Sequence, residues 1–411
     1  MKLERRSALK TLGGAAAIGA AASLAARAAH AAGEIPVASI HDLSGGLDIY
    51  GKPMEDAMKL ATEEINAAGG LLGKKIKLIS YDSQSNMQQY TQFAQQAALK
   101  DKVAVVHGGI TSASREVIRP VLKRLNTLYF YNTQYEGGVC DRNTFCTGQT
   151  PAQNVEILMP YVMKKWGKRV YVVAADYNYG QITSDWVKKY TKDNGGEVVA
   201  VDFFPLDVTQ FGPAIQKIQA AKPDLVLSAL VGGAHISFYR QWAAAGMKSK
   251  IPMCSTTATG GNEHIVLSPE EGDGLTVAFS YFQTVDNPVN KAFVARWHKR
   301  FGADYPYISE LAVATYQGMH LWAKGAAKAG STDRMKVIQA LESGIDFDGP
   351  SGKGTIDPAT HHCTLDIHIA EVKAKKMAVL EKYAQRKPID TAAVCNLIKN
   401  PNENKQFVIK I

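Results

Sequence analysis

Hydroxyl-bearing residues gather at a few points along this chain, each just after an apolar run. Gly108-Gly-Ile-Thr-Ser-Ala-Ser114 follows Val103-Ala-Val-Val106 and precedes an amphipathic stretch. A loop at a helix start offers unpaired backbone N–H groups, and Thr111, Ser112 and Ser114 add hydroxyls. That set suits a carbonyl or carboxylate oxygen, although the same residues also make an ordinary N-cap. Tyr131-Asn-Thr133, then Tyr135-Glu136, close the next apolar run. Asp176-Tyr-Asn-Tyr179-Gly180 ends a third, where two tyrosines can wall a small ligand and supply phenolic hydroxyls. Val231-Gly-Gly233 and Ser255-Thr-Thr257 end two more runs.

Reactive chemistry finds less support. The chain has no G-x-S-x-G elbow, no H-E-x-x-H, no Walker A loop and no well-placed G-x-G-x-x-G. Glu136 has no Ser, Cys or His nucleophile beside it in sequence, so no catalytic residue and no cofactor is expected. His361, His362, Cys363 and His368 cluster near the C-terminus. Strand alternation puts His362 and His368 on one face but roughly 20 Å apart, which reads as a polar strand surface and not a metal site. Of the five cysteines, Cys140 and Cys146 make the best disulfide candidate, because the loop of Cys140-Asp-Arg-Asn-Thr-Phe-Cys146 can close a short ring. The pairing of Cys254, Cys363 and Cys395 stays open.

These clusters need a scaffold, and the hydrophobic pattern supplies one. Strand-like runs at 35–40, 75–79, 103–106 and 127–131 alternate with helical spacing, as in Met54, Ala57, Met58, Ala61, Ile65 and Ala68. The rhythm restarts after Pro151, with strands at 170–175, 198–203 and 225–230. Such alternation predicts parallel sheets with helices on both faces, and two runs predict two doubly wound α/β lobes. Helices at 288–301, 308–329 and 333–342 then return to the first lobe, and a strand-like tail at 364–372 to the second. The expected division is lobe one over 32–150, lobe two over 151–278, lobe one again over 279–345, and the second-lobe return with the C-terminal tail over 346–411. Repeated crossings make a hinge, with a cleft at the C-terminal ends of the strands.

The first 31 residues differ from the rest. A basic start leads into an Ala/Gly-rich run and the small-x-small pattern Ala29-His30-Ala31, the layout of a secretory signal peptide. Arg5-Arg6, followed by Leu9-Lys10, looks like a twin-arginine signal. Five Lys/Arg and one Glu in this leader carry +4 of the formal +9, leaving about +5 on the mature chain. With no basic tract interleaved with aromatics, nucleic acid is not an expected partner. No other stretch is apolar enough for membrane insertion of the mature chain, and a periplasmic location is expected.

Leu43-Ser-Gly45, Glu64-Ile-Asn66-Ala-Ala-Gly-Gly70, and Leu72-Gly73-Lys-Lys-Ile76 with Asp82 resemble the opening of type I periplasmic binding proteins. These are the branched-chain amino acid/amide class of solute receptors for ABC importers. The resemblance ends with Phe347-Asp-Gly-Pro-Ser-Gly352. It implies two Rossmann-like lobes joined by a three-crossing hinge, a small-molecule ligand, and a membrane permease as partner. Tyr131-Asn-Thr133-Gln-Tyr135-Glu136-Gly137, Asn143-Thr-Phe145-Cys-Thr-Gly148 and Asp176-Tyr177-Asn-Tyr179 look like the short-chain amide and urea receptors. By position, Ser112, Tyr131 and Thr133 are then the expected first-lobe contacts, and Tyr177 and Tyr179 the second-lobe ones. Amino-acid receptors of the class hold the ligand ammonium with a second-lobe carboxylate, yet Cys254-Ser-Thr-Thr-Ala-Thr259 contains no acid. A buried ammonium needs a counter-charge. Asp176 and Glu136 remain as substitutes, but the missing acid favours a urea or short amide over a branched-chain or other amino acid. An exported α/β hydrolase is the alternative from another class.

Overall fold

Two sheets carry the chain, the first parallel and the second mixed, and strands expected from apolar runs contribute to both. The structure, a computed structural model, describes residues 33–411; the leader expected over residues 1–31 lies outside the described residues. The first sheet has the order β2 (Ile76–Asp82), β1 (Ile35–His41), β3 (Val105–Gly108), β4 (Leu128–Tyr131) and β6 (Thr144–Cys146), parallel throughout. β5 (Val139–Asp141) stands outside it. Helices on both faces bury β3 and β4 along their whole length, which is why their sequences are continuous and not alternating.

The second sheet runs β8 (Glu197–Phe204), β7 (Arg169–Ala175), β9 (Leu225–Ala229), β10 (Met253–Ser255) and β11 (Thr276–Phe279), again parallel. It continues antiparallel through β14 (Cys363–Lys373), β13 (Gly352–Ile356) and β12 (Asp346–Gly349), with β15 (Lys376–Arg386) on the other edge of β14. Between β11 and β12 the chain makes three helices, Pro288–Phe301, Glu310–Ala329 and Arg334–Leu341. Ion pairs Arg296–Glu64 and Arg300–Glu63 tie the first of these to the helix Asp48–Ala67 of the first sheet. As far as β12 the chain therefore passes between the sheets three times. Two of the crossings are bonded to each other: Gln149 Nε2 donates to the Ala278 carbonyl (2.9 Å), and its Oε1 accepts from the Ser280 N–H (2.7 Å).

The disulfide departs from expectation. Cys140 pairs with Cys395, and Cys146, Cys254 and Cys363 are free and buried. Cys146 sits in β6, in register with Tyr131 inside the first sheet, whereas Cys140 lies on the separate strand β5. The short loop between them is closed by Asn143, whose N–H donates to Asp141 (3.0 Å) and whose side chain donates to the Thr127 carbonyl (2.8 Å). Beyond β15 the tail crosses to the first sheet's side, where β16 (Asn404–Gln406) pairs antiparallel with β5. That long-range pairing brings Cys395 to Cys140.

Candidate functional site

At the C-terminal ends of both sheets the lobes flank one partly open cavity. The strand-to-helix turn after β3 forms its floor. Gly108 and Gly109 are required there: a Cβ on Gly108 would lie 2.3 Å from the Ile40 carbonyl oxygen, and Gly109 has φ +79°. The Thr111 hydroxyl accepts from the Ser114 N–H (3.0 Å) and caps the helix Ser112–Arg124. Thr111 is thus an N-cap, as its type suggests, while Ser112 faces the cavity.

All five residues singled out from the sequence line this cavity: Ser112, Tyr131 and Thr133 from the first lobe, and Tyr177 and Tyr179 from the second. Val231 and Thr257 join them, each from a strand end also noted in the sequence. Ile110 and Gly260 also line it, and Tyr50, Gln134 and Leu311 join the wall without having been anticipated. Tyr50 sits on the helix after β1 and Leu311 on the helix Glu310–Ala329, so neither follows a strand end of the kind the pattern flags.

The hydroxyls of the wall have mostly committed their protons to the protein. Ser112 Oγ donates to Glu136, Thr133 Oγ1 to the Gly109 carbonyl (3.1 Å) and Tyr131 to the Ile110 carbonyl (2.8 Å). Thr257 Oγ1 donates to the Leu230 carbonyl (2.7 Å). Tyr50 accepts from the Gly232 N–H (2.8 Å) and donates to Glu263 (3.3 Å). Carbonyls and carboxylates only accept, so Ser112, Thr133, Tyr131 and Thr257 keep lone pairs free, whereas Tyr50 has already accepted an N–H. Burial pushes the Tyr131 and Tyr179 phenols above their ordinary range, and both are neutral.

Charge lies behind the wall and not on it. Glu136 forms a fully buried ion pair with Arg115 (2.9 Å). Burial opposes the charge on Arg115, but Glu136, Tyr131, Glu116 and Tyr135 together outweigh it and hold the guanidinium charged. Arg115 also lies over the rings of Tyr131 (5.1 Å) and Tyr135 (4.6 Å). Glu263, just past residues 254–259, is buried against Tyr50, and that burial pushes its carboxyl up to about 7. Asp176 is exposed and does not line the cavity. In the histidine cluster, His362 bonds Tyr135 and His361 bonds Glu342 (3.2 Å).

Residues 35–395 match the family model described as a periplasmic binding protein domain. The chain belongs to this family. Among curated relatives of this periplasmic binding protein, Leu/Ile/Val-binding protein homolog 6 of Brucella melitensis is 26% identical over 357 residues, covering 85% of this chain and 90% of that one. Leu/Ile/Val-binding protein homolog 7 of Brucella abortus is 25% identical over 346 residues, covering 80% and 85%. A solute-binding protein of an ABC transporter from Rhodopseudomonas palustris BisB5, solved with 3,4-dihydroxybenzoic acid, superposes with a TM-score of 0.78 at 25% identity, over 86% of this chain and 98% of that one. A leucine-binding protein from Thermotoga maritima shares the fold, with a TM-score of 0.75 at 20% identity over 85% and 99%. The protein is a solute-binding receptor of the ABC-transporter class and not an enzyme. Among the described residues, no helix is long and apolar enough to cross a membrane.

Proposed function

We propose that this receptor takes a small neutral molecule rich in N–H groups, a urea or short-chain amide, between its lobes and hands it to the permease of an ABC importer. The observation that carries this reading is the state of the wall. Four hydroxyls keep free lone pairs, and no side chain lining the cavity is charged. Amide N–H groups match such acceptors without burying net charge, and the ligand carbonyl takes the unpaired N–H groups of the first turn at Ser112. Ser112, Tyr131, Thr133, Tyr177 and Tyr179 are the proposed contacts. Closure about the three crossings then buries the ligand. Arg5-Arg6 and the apolar run after them support export to the periplasm through a cleaved leader.

A second reading has one specific observation in its favour. Glu263 lies one hydroxyl away from the cavity through Tyr50 and could answer an amino-acid ammonium, in keeping with the names of the Brucella relatives. Its raised carboxyl weakens that role near neutral pH, because a protonated acid supplies no counter-charge. Mass spectrometry of small molecules released from the purified protein separates the two. A urea or aliphatic amide supports the first reading, and leucine, isoleucine or valine overturns it.

A further inference from the structure

The C-terminal tail reaches the back of the candidate site along one helix face. In the helix Ser112–Arg124, Arg115, Arg119 and Lys123 recur every four residues and so share a face. Each bonds the tail: Arg115 donates to Gln406 Oε1 (2.9 Å), Arg119 to Asn404 Oδ1, and Lys123 to the Glu403 carbonyl (3.4 Å). Gln406 Nε2 donates in turn to Glu136 and to the Gly137 carbonyl (3.0 Å). Gln406 thus touches both members of the buried ion pair whose carboxylate accepts the Ser112 proton. The tail is fixed at three further points: β16 pairs with β5, Cys395 is bonded to Cys140, and Asp390 accepts from Thr150 Oγ1 (2.8 Å) at the first crossing.

We propose that residues 389–406 form a strap that sets the ligand site from behind, with Gln406 as its positioning residue. Gln406 holds Arg115 and Glu136 in the arrangement that draws the Ser112 proton away from the cavity and leaves its lone pairs facing a ligand. The assignment rests on Ser112 being a ligand contact. Gln406 does not line the cavity, so its effect passes through Ser112. A strap that only added stability would act on every state of the site equally.

A double-mutant cycle on the full mature chain tests this, with acetamide as the probe in titration calorimetry. Gln406→Ala is expected to weaken acetamide binding about tenfold, and to add little further loss in a Ser112→Ala background. Unchanged affinity in Gln406→Ala, or the same tenfold loss in both backgrounds, overturns the proposal. Hydrogen exchange supplies an arm that needs no ligand. Gln406→Ala is expected to speed exchange across residues 112–124 about tenfold while leaving the strands of the second sheet unchanged, and unaltered exchange at 112–124 overturns the proposal. A wild-type chain that binds neither acetamide nor urea defeats the amide reading alone, and the exchange result then decides the strap.

Discussion

The Ser112 hydroxyl donates to the Glu136 carboxylate, joining the first residue of a helix to the loop beyond the next strand. This bond fixes which partner Ser112 offers to the cleft. Ser112→Ala removes one acceptor from the cavity, and about 1.4 kcal/mol, or tenfold in affinity, is the expected loss for the amide ligand. It also leaves a buried carboxylate oxygen short of a donor, so the melting temperature should fall as well. Calorimetric titration and a thermal scan of the same variant check both effects. Unchanged affinity would remove Ser112 from the site.

Arg115→Ala is expected to be far more damaging to the fold. It strips the counter-charge from Glu136, which is fully buried, and breaking such a pair costs about 3–5 kcal/mol. Replacing both by neutral residues, Arg115→Met with Glu136→Gln, should cost clearly less, because no lone buried charge is left. Guanidinium unfolding followed by circular dichroism measures the difference; equal losses in the two variants would contradict the ion-pair account.

Stability should depend on pH through three buried carboxyls. Burial pushes Glu263 and Glu310 up to about 7 and Asp390 up to about 6. Unfolded, all three ionise near pH ~4. Between those values the native state binds more protons than the unfolded chain, so their contribution is complete below pH ~4 and is lost as pH rises toward 7. Glu263→Gln should therefore gain on the wild type as pH rises from 4.5 to 7.5. Melting temperatures of the two proteins that run parallel across that range would show that Glu263 is ionised throughout.

Peptide mapping under non-reducing conditions should recover a Cys140–Cys395 link, with Cys146, Cys254 and Cys363 alkylated only after unfolding. The bridge spans 255 residues. Chain entropy alone assigns about 4.7 kcal/mol to a 100-residue loop, so Cys395→Ser should lower the melting temperature markedly. A Cys140–Cys146 peptide would overturn the observed pairing.

What the sequence made legible follows from the physics of parallel sheets. Strands buried on both faces read as continuous apolar runs, and ligands collect where such strands end. Ser112, Thr133, Tyr177 and Tyr179 follow β3, β4 and β7 directly, so the pattern could point to them. Tyr50 and Leu311 reach the cavity from helices, and only tertiary packing brings them there. Glu263 lies past residues 254–259 and reaches the site through the Tyr50 hydroxyl. The disulfide was misread for a related reason. Close spacing favours Cys140 and Cys146, but β6 carries Cys146 into the first sheet while β16 draws the tail to β5.

The central claim is a neutral, N–H-rich ligand held by acceptor hydroxyls between the lobes. Calorimetric titration of the purified mature protein, stripped of any bound ligand, tests it most directly, with acetamide, urea, leucine and 3,4-dihydroxybenzoate in parallel. The account predicts saturable binding of acetamide or urea that is lost in Thr133→Ala and Tyr177→Ala, with leucine and the aromatic acid inert. Binding of leucine or 3,4-dihydroxybenzoate with both amides inert would contradict it.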